Sequence, residues 1–265
     1  MEGKRSYTDY SYGDEKRQAL DLHLPAGKRG ETGLVFFIHG GGWVEGDKAI
    51  YRDELRKWSE KGYAAAAANY RYVSETIGVQ DILDDITAAL SAVRTLGLEQ
   101  GLNLNKCLLT GGSAGGHLAL LYAYSQRKTA PVTPVCVVDY CGPAALDDTA
   151  FALNEGWSPW IQTVLSHCCG KAFTAENFAD AAQALKKISP VTYALNAVPT
   201  VMAYGKADDI VPFSQAEVLD RALTHSGVPH DLVIYPNSRH DLASDPDADA
   251  ETARLFERCA AKYLN

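Results

Sequence analysis

Residues Leu108 to Leu120 read LLTGGSAGGHLAL, an apolar run, a glycine-rich turn around Ser113, and then an apolar stretch of helical length. This is G-x-S-x-G placed between a strand and a helix. A serine on so sharp a turn needs strained or positive backbone dihedrals and neighbours without side chains, which Gly111 and Gly115 supply. The turn lifts the hydroxyl off the sheet, and the helix that follows sets backbone N–H groups and a partial positive charge beside it. Ser113 is therefore the candidate nucleophile.

Outward from this turn, short apolar runs alternate with longer helix-period stretches, the pattern of strands and crossover helices in a mostly parallel sheet of the α/β class. The expected strands are Gln18 to Leu24, Leu34 to His39, Ala64 to Tyr70, Cys107 to Thr110, Val135 to Tyr140, Thr200 to Tyr204 and Asp231 to Tyr235. In the first, Ala19, Asp21 and His23 alternate with Leu20, Leu22 and Leu24, which predicts a half-exposed antiparallel edge strand. Ile82, Ile86, Ala89, Leu90 and Val93 recur at three- and four-residue steps and predict a helix from about Val79 to Leu96. Further helices are expected after Ser113, from Ser214 to Ser226, and from Ala248 to Tyr263. A length of 265 residues suits a single domain, 1–265. From Gly142 to about Asn196 the alternation stops, and Phe151, Trp157, Trp160, Phe173 and Phe178 occur without a clear strand, which predicts a small helical cap insertion over about 142–196. Its aromatics either line a pocket or bury the cap.

Ile38 to Trp43, IHGGGW, follows the strand at Leu34 directly. Three glycines in a row leave N–H groups unobstructed, able to point at a developing oxyanion, so Gly41, Gly42 and Ala114 are the candidate oxyanion donors. No Lys-Ser/Thr follows as a phosphate-binding loop would require, and no G-x-G-x-x-G opens a helix. A serine hydroxyl needs a base to take its proton and an acid to orient that base. Of seven histidines, His23 lies in the first strand, His39 precedes the glycines and braces their loop, and His117 packs at the helix start. His167 falls in the cap, and His225 and His230 flank the turn at Gly227. His240, in NSRHDL after the last strand, lies on a loop facing the same sheet edge as Ser113. For the acid, YGKADDIVPF puts Asp208 just past a strand at the carboxyl edge of the sheet and makes it the candidate, with the adjacent Asp209 and the earlier Asp139 as rivals; all three give the chain order Ser, Asp, His. Trp43, Trp157 and Trp160 are the candidate substrate-contacting aromatics.

A formal charge of −8 and a pI near 5.4 argue against nucleic acid, whose binders cluster Lys and Arg. No apolar run approaches a membrane span. The polar N-terminus lacks a secretory apolar core, so a cytoplasmic setting is expected, and the partner is a small-molecule or oligosaccharide ester. Six cysteines, Cys107, Cys136, Cys141, Cys168, Cys169 and Cys259, show no C-x-x-C spacing and read as buried reduced thiols. No spacing suggests zinc, and neither a metal nor an organic cofactor is expected.

Together these motifs resemble the α/β-hydrolase superfamily, and within it the serine esterases with an HGGGW oxyanion loop, which include hormone-sensitive-lipase-like carboxylesterases and compact bacterial acetylxylan and feruloyl esterase-like proteins. LDLHLP, HGGGWVEGDK, NYRY, GGSAGGHLAL, SPVTY, the D-x-x-V-P from Asp208 to Pro212 and SRHDL carry the likeness over nearly the whole chain. The resemblance implies that Asp208 rather than Asp209 is the acid, and that the chain hydrolyses short-chain or aromatic acyl esters through an acyl-enzyme. NYRYVSE departs from the Y-R-L-A-P-E of the hormone-sensitive-lipase pattern. Arg71 there is expected to pair with Asp84 or Asp85. Arylformamidases share an HGG-x-W loop, and some receptors of the superfamily bind small molecules without catalysis; both are alternative readings.

Overall fold

The computed structural model describes residues 5–153 and 159–265. One eight-stranded sheet carries the fold, built from β1 (Ser6–Ser11), β2 (Ala19–His23), β4 (Leu34–Ile38), β5 (Ala64–Ala68), β7 (Lys106–Gly112), β8 (Thr133–Tyr140), β9 (Thr200–Gly205) and β10 (His230–Tyr235). Two short strands, β3 (Gly30–Glu31) and β6 (Leu102–Asn103), pair apart from it. The sheet order is β1-β2-β5-β4-β7-β8-β9-β10. The β1–β2 and β2–β5 pairs are antiparallel and every other pair is parallel. The carboxyl ends of β4, β5, β7, β8, β9 and β10 therefore share one edge.

Strand periodicity splits each central strand between two cores. Leu34, Phe36 and Ile38 of β4 join a cluster with Ile82, Ile86 and Leu90 of α2 (Val79–Glu99), Leu118 of α3 (Ala114–Ser125) and Leu219 of α7 (Ser214–His225). Val35 and Phe37 join Leu55 and Trp58 of α1 (Arg52–Glu60) and Leu255 and Phe256 of α8 (Pro246–Tyr263) on the other face. β5 is five buried alanines, poor strand formers by themselves. Pairing on both sides holds them extended, and α1 packs directly on them.

The segment expected to form a cap holds α4 (Thr149–Ala152), α5 (Pro159–Cys169), α6 (Phe178–Lys187) and a 3-10 turn at Pro190–Asn196, with no strand among its described residues. Phe151, Phe173 and Phe178 are buried in the core there. Trp157 lies outside the described residues. No helix among the described residues is long and apolar enough to cross a membrane.

One expectation is corrected. β2 is not the edge of the sheet, because β1 pairs along its outer side. β1 reads SYTDYS and buries only Tyr7, so it carries no apolar run to announce it. Asp21 of β2 is buried rather than solvated, and the Lys48 ammonium 2.8 Å away balances it. Lys48 also reaches Asp9 at 2.6 Å, and its backbone N–H donates to Asn69 Oδ1 at 2.7 Å. Arg71 pairs with Asp85 at 2.7 Å, not with Asp84, and ties the end of β5 to α2.

Lys48 is 2% exposed, so Lys48→Met leaves the Asp21 carboxylate buried without its counter-charge. Urea unfolding should show a loss of about 3 kcal/mol, and adding Asp21→Leu should recover much of it. A loss below about 1 kcal/mol would mean that water reaches the carboxylate instead.

Candidate active site

β7 ends at Gly112 and α3 begins at Ala114, leaving Ser113 alone on the turn with φ 56° and ψ −125°. That backbone is strained for a residue with a side chain. Close packing on both sides enforces it. A β-carbon on Gly111 would lie 2.4 Å from the Ile38 carbonyl oxygen, and one on Gly115 would lie 2.1 Å from the same atom. The Ser113 N–H donates to the Tyr140 carbonyl at 2.7 Å, which ties the turn to β8. The first N–H groups of α3, that of Ala114 among them, have no partner within the helix.

The glycine loop lies against this turn. A β-carbon on Gly40 would sit 3.4 Å from the Ser113 β-carbon. Gly41, Gly42 and Trp43 all have positive φ, 106°, 54° and 62°. Val44 and Glu45 N–H both donate to the Gly41 carbonyl, so that oxygen is turned into the loop. His39 braces the loop as expected: it stacks on Tyr70 at 4.2 Å, and its Nδ1 lies 2.8 Å from the Gly40 carbonyl. Arg17 adds a brace that no motif announced, donating to the carbonyls of Gly46 and Tyr70. Burial lowers the pKa of His39 to about 4.

Trp43 does not stand where substrate contact was expected. Its ring is 5% exposed, and its indole N–H donates to His117 Nδ1 at 3.1 Å. His117 Nε2 meets the Ile188 carbonyl at 2.7 Å, and burial lowers its pKa to about 4, so it is a neutral strut rather than a base. Trp160, by contrast, is 49% exposed and stands over the loop, 3.3 Å from where a β-carbon on Gly42 would be.

The acid and the histidine meet at the neighbouring strand ends. His240 Nδ1 lies 2.8 Å from Asp208 Oδ2, and Asp208 Oδ1 accepts the N–H groups of Ile210 and Val211, both at 2.9 Å. Hydrogen bonds to both oxygens fix the orientation of the carboxylate. Gly205, at the end of β9, allows the approach: a β-carbon there would lie 2.4 Å from the Ser238 carbonyl oxygen, so the loop bearing His240 passes over the strand bearing the acid. Asp209 instead pairs with Arg239 at the surface. Asp139, the other rival, is buried at the end of β8, where it accepts from Tyr204 Oη at 2.6 Å and from the Gly142 N–H at 2.9 Å. Cys141 was read only as a thiol. It is buried beside Asp208 and His240 with φ 54°, and burial first and the Asp208 charge second raise its pKa. Its place just past a strand end was the one sign of this in the sequence. All six cysteines are free thiols, and all but Cys169 are buried.

This sheet order, with a strained serine after a central strand and an acid–histidine pair past later strand ends, defines the class of the α/β-hydrolases. Residues 20–223 match the BD-FAE family model, and the chain belongs to that family. It is 29% identical over 278 residues to the probable carboxylic ester hydrolase LipM of Mycobacterium tuberculosis, covering 98% of this chain and 61% of that protein. It is 26% identical over 244 residues to a probable isoprenylcysteine alpha-carbonyl methylesterase ICME of Oryza sativa subsp. japonica, covering 86% of this chain and 56% of that protein. The chain thus spans about half to three fifths of the length of these curated relatives. Among solved structures, esterase B from Lactobacillus rhamnosis superposes with a TM-score of 0.76 at 22% identity, covering 97% of this chain and 86% of that one. A truncated carbohydrate esterase from gut microbiota superposes with a TM-score of 0.77 at 19% identity, covering 97% of each chain. At these identities the likeness shows the fold.

Burial raises the Asp139 carboxyl from 3.8 to about 7, so the folded protein holds this proton to higher pH than the unfolded chain does. Its contribution to stability is full below the unfolded value and is lost as pH rises through about 7. Melting temperatures from acid to neutral pH should fall in the wild type relative to Asp139→Asn, which has no proton there to lose. Parallel curves for the two proteins would show that Asp139 keeps its ordinary affinity.

Proposed function

We propose that this chain is a serine esterase in which Ser113 is the nucleophile, His240 the general base and Asp208 the acid that orients it. The observation that carries the reading is the 2.8 Å contact of His240 Nδ1 with Asp208 at the sheet edge where Ser113 stands strained. That contact leaves Nε2 as the nitrogen free to take the serine proton. Ser113 Oγ attacks the ester carbonyl as His240 takes its proton. The N–H groups of Gly41, Gly42 and Ala114 receive the oxyanion. The same proton then passes to the departing alcohol, and a water activated by His240 releases the acid and restores the serine. Residues 1–265 act as one domain, with about 142–196 as its cap. Six unpaired thiols fit a cytoplasmic setting.

The substrates are esters with a short or aromatic acyl group, carbohydrate-linked esters first among them. Exposed Trp160 over the glycine loop offers an apolar rim to an acyl group or an aryl ring. An arylformamide would meet the same rim and is the second reading.

Ser113→Ala should lower kcat/KM for p-nitrophenyl acetate by about 10⁴-fold or more, and His240→Ala should cost about as much, because triad members act as a unit. Full activity in either variant would remove the assignment. Across acetylated xylan oligomers, methyl ferulate, p-nitrophenyl esters of increasing length and N-formylkynurenine, kcat/KM should peak on the acetyl or feruloyl esters. A maximum on N-formylkynurenine would move the assignment to formamide hydrolysis. Trp160→Ala should raise KM for methyl ferulate about tenfold with kcat nearly kept, consistent with about 1.4 kcal/mol of uniform ring contact. An unchanged KM would place the ring outside the substrate path.

A further inference from the structure

Cys141 follows the last residue of β8 with a left-handed backbone, φ 54°. A glycine would hold that dihedral without strain, yet the chain has a thiol there. Its N–H donates to the Ala203 carbonyl at 3.0 Å, so sheet pairing continues through the residue. One donor atom from each of Cys141, Asp208 and His240 lies within 4.8 Å of the other two. Among the described residues no other three histidine, cysteine or acidic side chains converge this closely.

A thiolate, an imidazole and a carboxylate form a mixed S, N and O donor set that suits zinc and its heavier congener cadmium. Zinc bonds of about 2.0–2.3 Å hold such donors roughly 3.5 Å apart, so the 2.8 Å His240–Asp208 contact need open by less than about 1 Å. The His240 side chain is 21% exposed, whereas that of Asp208 is fully covered, so a cation arrives along the histidine.

We propose that Cys141, Asp208 and His240 form an inhibitory site for a divalent cation of the zinc and cadmium type. The consequence for turnover rests on the reading of His240 as the base; the site itself does not. On binding, the Cys141 S–H bond breaks, its proton leaves to buffer and the sulfur bonds the cation. Asp208 lends a carboxylate oxygen. The proton on His240 Nδ1 passes through solvent to Nε2, and the freed Nδ1 lone pair bonds the cation. Nε2, the nitrogen the reaction needs empty, then carries a proton. Asp208 is also drawn from its hydrogen bond to His240. Water fills the fourth position, and one proton is released per cation bound.

Cadmium chloride and zinc chloride are titrated into the purified chain, wild type and Cys141→Ser, following p-nitrophenyl acetate hydrolysis and, for cadmium, the ultraviolet thiolate-to-metal charge-transfer band. In the wild type, micromolar cation should suppress hydrolysis, the band should saturate at about one cadmium per chain, and EDTA should reverse both. Cys141→Ser removes the soft donor, so it should lose that band and need roughly 100-fold more cation for equal inhibition relative to its own metal-free rate. Equal sensitivity in wild type and variant, or an undiminished band in the variant, overturns the proposal. Cys141→Ala, checked by far-UV circular dichroism, replaces the serine variant if that one misfolds. If the wild type hydrolyses no ester, the proposed function fails, while the cadmium band of wild type against variant still decides the site.

Discussion

Only 2.1 Å separates the Ile38 carbonyl oxygen from the place where a β-carbon on Gly115 would be, and only 2.4 Å from the place of one on Gly111. No side chain fits in either position. The turn that carries Ser113 is thus pressed against the end of β4, and the glycine loop begins at that strand end. Gly40 meets Gly112 and Ser113 across the same gap. The positive φ of Ser113 is the cost of turning from strand to helix within this space, and the pairing of β7 with β4 and β8 on either side holds it.

Around that contact, polar groups are buried in service of position. His39 and His117 are both kept neutral by burial, one bracing the glycine loop and the other joining Trp43 to the Ile188 carbonyl. Lys48 and Asn69 pin the far end of the loop to β2 and β5, and Arg17 closes it over Tyr70 and Gly46. A loop of three glycines would otherwise pay heavily in conformational entropy for an ordered shape. The surrounding hydrogen bonds fix the loop's shape where Gly40 packs against the serine turn.

Two aspartates at neighbouring strand ends meet different surroundings. Asp208 receives two backbone N–H groups and an imidazole, which set its orientation. Asp139 is sealed behind Gly116 and Gly142 with Tyr204 as its main donor, and burial favours the proton. Both lie one strand apart on the same edge.

The sequence by itself determined the α/β class, seven of the eight strands of the main sheet, the helix on Ile82 to Val93, and the elbow at Ser113, because buried parallel strands are continuous apolar runs and a sharp turn demands glycine. It did not reveal β1, which buries only Tyr7 and shows no apolar pattern, nor that β2 is interior, because Lys48 hides the charge of Asp21 from a distance of many residues. Asp208 was separable from Asp209 only by resemblance, whereas the fold separates them by which side chain turns inward to His240 and which outward to Arg239. Trp43 and Trp160 read alike as candidate substrate-contacting aromatics. Tertiary structure buried the first against His117 and left the second over the loop, since direction depends on a backbone dihedral and a partner that no local pattern encodes. The placement of Cys141 beside the acid and the histidine is of the same kind: three residues far apart in the chain meet because three parallel strands end at one edge.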